Sequence, residues 1–450
     1  MALFGTNGIR GIPNENYYPD FYLHLSITIG NIIKSEKFAV ASDGRKTVAM
    51  LKGAVLSGLT ATGHDVVDLG TLPVSGLQYY CKMNGVPGIM ITASHNPPEY
   101  NGIKVIDSDG LEASPELQAM IEKRYLEARY NEVGRKDSGN QNYASWEHVG
   151  SVKYDYSAKD TYIEAVLSKI DVESVREKKL SALVDCSNGA TYETAPQLLR
   201  ALGIRTVALN STLDGTFPGH NPEPTEENIK STIEVVKNLG GDFALVHDSD
   251  GDRVVFISPE GKYLDGNYAL SILAMSRLKK GDAVVTPANT SDIFINTAKK
   301  IGAKVYITKV GPPLVSRKAI EVKARLAGEE TGGIIYTEHQ YGRDGAMTAA
   351  LFIEAVAKYG LRNMLKSLPD LYYKRSRVNT TKGFDEIKRL VLEQKHTKAD
   401  FTDGVKIYLN STDWVMLRPS GTEPIIRIYV QASSRKVVEA LIKKYGELLA

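Results

Sequence analysis

Short apolar runs alternate with longer amphipathic stretches along most of this chain, and the alternation stops near residue 370. Phe38 to Ala41, Asp65 to Leu69 and Ile89 to Ile91 read as strands, with helices near Val48 to Thr62 and Val74 to Met83 between them. The plan repeats at Ala182 to Asp185, Thr206 to Leu209 and Phe243 to Val246, and again at Ala283 to Thr286 and Val305 to Thr308. In the tail, a helix near Asp385 to Lys395 precedes hairpin-like runs at Val405 to Leu409, Trp414 to Leu417 and Ile425 to Gln431, and a last helix covers Val437 to Leu448. Strand–helix alternation predicts α/β units, and the tail predicts a smaller α+β unit. The polar stretch Arg135 to Ser145 marks an exit from the first unit. The expected borders are 1–150, 151–255, 256–369 and 370–450.

Composition narrows the class. At 450 residues the chain is too long for one core. A net charge of +2, from 55 basic and 53 acidic residues, argues against a nucleic-acid footprint and for charge concentrated locally around a small-molecule ligand. Cys81 and Cys186 are the two cysteines; both sit in apolar surroundings and read as reduced core residues. The start, Met1-Ala-Leu-Phe, lacks a basic segment followed by an apolar run, and no apolar stretch approaches ~18 residues. A cytoplasmic protein with no membrane or nucleic-acid partner is therefore expected, as monomer or homodimer.

The densest chemistry lies in Phe243-Ala-Leu-Val-His-Asp-Ser-Asp-Gly-Asp-Arg253, where Asp248, Asp250 and Asp252 occupy alternate positions. On an extended chain these carboxylates share one side. At ~4 Å each pair costs about 1 kcal/mol in water and about 4 kcal/mol at an effective dielectric near 20. A hard divalent cation relieves that repulsion, and Mg²⁺ is the one that phosphate chemistry uses. A calcium EF-hand loop is excluded, because Arg253 and Pro259 stand at its sixth and twelfth positions. An acidic turn, or a haloacid-dehalogenase-type phosphatase with Asp248 as nucleophile, stays open from this segment alone.

A second segment, Gly88-Ile-Met-Ile-Thr-Ala-Ser-His-Asn-Pro97, runs from a buried strand into a loop carrying Ser94 and His95. Open α/β sheets build sites at such strand ends. Lys104 follows in Tyr100-Asn-Gly-Ile-Lys104, where Asn101-Gly102 signals a turn and a lysine on position alone is a solvated surface residue. A lone loop serine usually caps a turn; as a nucleophile it needs a base, or it must already carry a transferable group. His-Asn-Pro recurs at His220-Asn-Pro222, with Gly219 in place of the serine, in a Pro-rich loop expected to lead into a helix near Thr225.

Together, Thr92-Ala-Ser-His-Asn-Pro97 and Asp248-Ser-Asp-Gly-Asp-Arg253 resemble motifs of the α-D-phosphohexomutase superfamily: phosphoglucomutases, phosphomannomutases and phosphoglucosamine mutases. The resemblance extends in chain order from Phe4-Gly-Thr-Asn-Gly-Ile-Arg-Gly11, through Gly328-Glu-Glu-Thr-Gly-Gly333, to Arg418-Pro-Ser-Gly-Thr-Glu-Pro424, and covers nearly the whole chain. It implies three similar mixed α/β domains plus a smaller C-terminal α+β domain around a central cleft. It implies that Ser94 carries a phosphoryl group and that Ser94, Asp248, Asp250 and Asp252 hold Mg²⁺. The implied reaction interconverts hexose 1-phosphate and hexose 6-phosphate through a hexose 1,6-bisphosphate that also primes the serine, with no Gly-x-x-x-x-Gly-Lys-Ser/Thr loop needed or present. The resemblance also puts Lys104 in proton transfer at Ser94 and Arg10 in charge stabilisation. Arg253 acts from the metal side, and His95 joins the catalytic set. Glu329 and Thr331 are the implied sugar-hydroxyl acceptors, joined by Lys309. Arg418, Ser420, Gly421, Thr422 and Arg427 form the anchor for the phosphate that is not reacting. Asp43 and Arg45, in Ala41-Ser-Asp-Gly-Arg45, are expected to hold loops together.

The chain departs from the pattern in places that bear on the sugar. Pro312 and Gly333 stand where some phosphomannomutase/phosphoglucomutase members have histidines, Pro312 also stands where phosphoglucosamine mutases often have Asp, and Asn7 stands where Asp is usual. The expected activity is phosphomannomutase/phosphoglucomutase, with phosphoglucosamine mutase as the alternative. A non-catalytic sugar-phosphate sensor ranks last, because both nucleophile and metal ligands are present.

Overall fold

The computed structural model describes residues 3–5, 8–132, 143–420 and 425–449. They group into two compact units, one of Met1–Asp265 with Thr331–Leu361, the other of Gly266–Glu330 with Arg362–Ala450. Residues 135–142 of the expected domain exit lie outside the described residues, as does Asn7.

The first unit holds two sheets. One has six strands, β1 (Ile9–Gly11), β2 (Lys37–Ser42), β3 (Asp65–Thr71), β4 (Gly88–Ile91), β5 (Asn101–Ile106) and β6 (Val152–Tyr154), in the order β1-β5-β4-β2-β3-β6. Every residue of β4 and β5 is buried, as a strand covered on both faces requires. The second sheet has β7 (Ser181–Asp185), β8 (Arg205–Leu209), β9 (Phe243–His247), β10 (Val254–Ile257) and β11 (Tyr263–Leu264), in the order β11-β10-β9-β7-β8. β7 runs parallel to β8 and β9, whereas β9 and β10 form an antiparallel hairpin.

The helix Gly345–Tyr359 packs on this second sheet. Its Ala-rich sequence is buried nearly all round, and Phe352 stacks on Phe256 with ring centroids 3.7 Å apart. Asp344 starts the helix by accepting the Met347 N–H at 2.9 Å.

In the second unit, β12 (Ala283–Pro287), β13 (Lys304–Thr308) and β14 (Leu326–Gly328) run parallel in the order β13-β12-β14. β15 (Ile334–Tyr336) belongs to the first unit's segment. The C-terminal sheet is antiparallel: β16 (Tyr372–Asn379), β17 (Lys398–Asp400), β18 (Val405–Tyr408), β19 (Trp414–Pro419) and β20 (Ile425–Ala432), in the order β16-β20-β19-β18-β17. Helices Phe384–Leu392 and Arg435–Leu449 cover one face over Ile407, Val415 and Ile428. The fold class is the one the pattern predicts, three α/β sheets followed by an α+β tail.

Three local expectations are corrected. The helix expected near Thr225 begins at Lys230, because residues 226–229 form turns, with Thr225 Oγ1 accepting the Asn228 N–H at 3.2 Å. Asn101-Gly102 is no turn but the start of β5, where Gly102 faces Arg10 and an added Cβ would stand 1.9 Å from the Ile9 carbonyl oxygen. Glycine is there for close approach, not for chain reversal. The Asp trio lies past the end of β9, in the hairpin turn to β10, and not on extended chain. Among the described residues, no helix is long and apolar enough to cross a membrane, and both cysteines are buried and unpaired.

Candidate active site

Ser94 follows the end of β4 in a loop whose shape is imposed by hydrogen bonds. Thr92 Oγ1 accepts the Ser94 N–H at 2.7 Å and donates to Asp43 Oδ2 at 2.7 Å. Asp43 in turn accepts from Arg45 Nε at 3.1 Å. The Arg45 guanidinium donates to the carbonyls of Ser94, Asn96, Pro97 and Tyr100. Four carbonyls converging on one cation bend the loop tightly, and Ser94 takes φ +51°, a left-handed conformation that costs a side-chain-bearing residue energy. Asp43 and Arg45 thus hold the loop as expected. Ser94 is fully buried, its Oγ donating to Asp250 Oδ1 at 3.0 Å and lying 3.3 Å from His95 Nδ1.

The β9–β10 turn brings the three aspartates together because Gly251 takes φ +72° in a space where a Cβ would meet Thr191 at 2.5 Å. Ligand atoms of Asp248, Asp250 and Asp252 all lie within 4.8 Å of one another, and all three residues are buried. Cations surround them. Lys104 Nζ reaches Asp250 Oδ2 at 2.7 Å and Asp252 Oδ2 at 3.1 Å. Arg343 Nη2 donates to Asp252 Oδ2 at 2.6 Å, and Arg253 Nε lies 3.8 Å from both Asp248 Oδ2 and Asp252 Oδ1. Arg10 Nη1 donates to Asn96 Oδ1 at 2.9 Å.

The charges are strongly unequal in what they meet. Burial, then repulsion from Asp250 and Asp252, pushes the Asp248 carboxyl well above the usual carboxylate range. Burial acts the same way on Asp252, yet Arg343, Lys104 and Arg253 outweigh it and hold its carboxyl below that range. Burial alone would lower Lys104, but Asp250 and Asp252 raise it, so the ammonium is held protonated. Burial lowers Arg10 to about 10. Asp248 Oδ2 and Asp252 Oδ1 are buried with no hydrogen-bond partner among the described residues. Two such lone oxygens in an all-oxygen cluster are the donor set a hard cation takes, and the residues fit Mg²⁺.

Lys104, a surface residue by position alone, is 1% exposed because β5 is buried throughout. The first unit therefore holds Arg10, Ser94, His95, Lys104, Asp248, Asp250, Asp252, Arg253 and Thr331. Gly332 takes φ +91° and accepts the Val254 N–H at 3.2 Å through its carbonyl. At Gly333 a Cβ would stand 2.5 Å from Arg343 Cδ, so the stem of Arg343 fills the space a side chain there would need.

The second unit holds Lys309, Glu329, Arg418, Ser420 and Arg427; Gly421 and Thr422 lie outside the described residues. Glu329 is buried just past β14 and Lys309 is exposed. Arg418 Nε donates to Asp403 Oδ2 at 2.8 Å, and Arg418 faces Arg427 across the ladder. Ser420 N–H donates to the Ile425 carbonyl at 2.9 Å, and its buried hydroxyl has no partner among the described residues. Arg377 continues the row opposite Arg427. Sequence reading missed Arg343, Asn96, Ser249 and Arg377. Ser249 donates to the Ser94 carbonyl, a contact its place between two aspartates could have suggested. For the others the signal is tertiary.

Four family models match in chain order: phosphoglucomutase/phosphomannomutase alpha/beta/alpha domain I at residues 1–132, domain II at 160–261, domain III at 265–375 and the C-terminal domain at 375–445. A phosphoglucomutase/phosphomannomutase of Thermococcus kodakarensis is 39% identical, with 99% of each chain covered. A phosphoglucosamine/phosphogalactosamine mutase of Sulfurisphaera tokodaii is 35% identical, again with 99% of each covered. The crystal structure of a phosphoglucomutase/phosphomannomutase family protein from Burkholderia thailandensis superposes with a TM-score of 0.83 at 25% identity, covering 100% of this chain and 97% of that one.

Proposed function

The chain belongs to the phosphoglucomutase/phosphomannomutase family, and from that premise we propose that it is a phosphohexomutase working through Ser94. The observation that carries this reading is the buried Ser94 hydroxyl 3.0 Å from Asp250, one of a trio of clustered carboxylates. Phosphorylated Ser94 gives its phosphoryl group to the free C6 hydroxyl of a hexose 1-phosphate. The Oγ–P bond breaks, an O6–P bond forms, and the sugar's hydroxyl proton is exchanged for one on the serine. Ser94 then attacks the C1 phosphate of the resulting 1,6-bisphosphate, which leaves hexose 6-phosphate and restores phosphoserine. No nucleotide is consumed.

Asp248, Asp250 and Asp252 would hold Mg²⁺, which when bound offsets their charge and that of the phosphoserine, about −1.5 to −2, and polarises the phosphorus. Lys104 shares Asp250 with Ser94, and an ammonium held protonated suits the donor that returns a proton to the departing Oγ. Arg10 and Arg253 stabilise charge on the reacting phosphoryl oxygens. His95, with Nδ1 3.3 Å from Oγ, serves the same step. In the second unit Glu329, with Thr331 at the start of the following segment, accepts sugar hydroxyls, and Lys309 assists. Arg418, Arg427, Ser420, Gly421 and Thr422 anchor the idle phosphate. Asp248 serves this reading as a ligand, since its carboxylate clusters with those of Asp250 and Asp252.

Glucose or mannose phosphate is the substrate this reading favours. The Sulfurisphaera relative, by its name, supports glucosamine phosphate as a second reading. Glucose, mannose and glucosamine 1-phosphates compared side by side with Mg²⁺ and a bisphosphate primer separate the two. The largest kcat/KM for a neutral hexose supports the first, and for the amino sugar the second. Equal rates in Ser94→Ala would overturn both.

A further inference from the structure

The geometry points to Arg343 as a positioning residue that orients Asp252 for the cation, an inference that rests on the metal reading of the Asp trio. Arg343 comes from a segment 91 positions beyond Asp252, and no family motif noted in the sequence includes it. It donates to Asp252 Oδ2 at 2.6 Å, the same oxygen that Lys104 reaches at 3.1 Å. The other oxygen, Oδ1, is buried without a hydrogen bond among the described residues. Two donors on one oxygen fix the carboxylate's rotation and leave its remaining lone pairs for a metal, which is how outer partners orient a ligating side chain.

The chain around Arg343 is anchored on both sides of it in sequence. Asp344, next in the chain, caps the helix Gly345–Tyr359 and accepts from the Tyr162 hydroxyl and from Gln340 Nε2, each at 2.6 Å. Ring stacking of His339 on Tyr79, 5.1 Å between centroids, fixes the start of this turn. Gly333 makes room for the arginine stem, since a Cβ there would stand 2.5 Å from Cδ. Glu112 lies 3.8 Å from the Arg343 Nη2.

Charge alone and positioning predict opposite signs. A positive group beside the trio repels a cation, so its removal by Coulomb's law tightens metal binding. Loss of orientation weakens it, by about 10–100-fold when an outer partner of a ligand is removed. Mn²⁺ is a direct probe, because its free ion gives an electron paramagnetic resonance signal that disappears on binding. Full-length protein is titrated as wild type, Asp250→Asn, Arg343→Met, Arg343→Lys and Gly333→Ala.

Wild type should bind one Mn²⁺ that Asp250→Asn loses, Arg343→Met should bind about 10–100-fold more weakly, and Arg343→Lys should recover most of that loss. Gly333→Ala keeps the charge but displaces the stem, so it should also weaken binding; it carries the test if Arg343→Met does not fold. Turnover should follow, with kcat falling while KM for the sugar phosphate holds. Unchanged or tighter Mn²⁺ binding in Arg343→Met or in Gly333→Ala overturns the role of Arg343 and leaves the metal site standing. Wild type without Asp250-dependent Mn²⁺ overturns both.

Discussion

The tripeptide His-Asn-Pro occurs twice in the first unit, and its two copies do different work. In Ser94-His-Asn-Pro97 the loop is drawn in by Arg45, the serine is forced to positive φ, and its hydroxyl meets Asp250. In Gly219-His-Asn-Pro222 the histidine is the buried group: its imidazole is 2% exposed, and Nε2 lies 3.2 Å from Asp185 at the end of β7. Asp185 also accepts from Thr232 Oγ1 at 2.6 Å and from Asn210, so this carboxylate is fully engaged in tying a loop to the sheet. A Cβ at Gly219 would stand 2.2 Å from Asn210 Oδ1, which leaves no room for a serine. The same three residues become part of a reaction centre or a structural clasp according to which carboxylate the fold sets opposite them: Asp250, clustered with two further aspartates, or Asp185, engaged by His220, Thr232 and Asn210.

The comparison breaks most decisively at Ser94. Ser94→Ala should lower interconversion on the order of 10⁴-fold or more in a coupled assay, as for other essential nucleophiles. Residual activity near wild type would mean that the two loops do not differ in the way described. The reverse experiment is Gly219→Ser, which writes Ser-His-Asn-Pro into the second loop. It should add no phosphate to that loop when primer is supplied, and crowding against Asn210 should cost about 1–3 kcal/mol in denaturant unfolding. Phosphate on the introduced hydroxyl would show that the tripeptide itself suffices.

His220→Gln probes the clasp through pH. Burial alone would lower His220, but its hydrogen bond to Asp185 raises it, and the same pair holds Asp185 below its usual range against burial. A raised histidine stabilises the fold fully below its ordinary value of about 6.5, and that contribution disappears as pH rises through the folded value. The advantage of wild type over His220→Gln should therefore be about 1–2 kcal/mol at mildly acidic pH and shrink on the alkaline side. It should also fade in strong acid, once Asp185 is protonated. Urea unfolding at several pH values reads the difference, and an advantage that grows with pH would contradict the pair. Asp248→Asn gives the smallest shift: without metal, relief of repulsion should raise the melting temperature by a few degrees. Added Mg²⁺ should then stabilise wild type more than the variant.

Much of this centre was legible because its parts are local in sequence. Three aspartates on alternate residues and a serine just past a buried apolar run carry their chemistry in a few positions. What stayed hidden depends on partners distant in the chain. On position alone Lys104 reads as a surface residue, since Asn101-Gly102 looks like a turn, and the resemblance is what put it in the site; pairing with β1 and β4 makes its strand buried. Arg343 precedes a helix cap, a place with no chemical signature, and meets Asp252 only through tertiary packing. The arginine row Arg377-Arg427-Arg418 was half read. Its third member needs the register of β16 against β20, which alternation alone does not give.

The central claim is that one buried hydroxyl carries the phosphoryl group. Full-length protein incubated with Mg²⁺ and glucose 1,6-bisphosphate, then weighed intact and mapped by peptide, should gain one phosphoryl group on Ser94 and none in Ser94→Ala. A label on Asp248 or any other residue, or no gain in mass by an enzyme that still turns over, would contradict it.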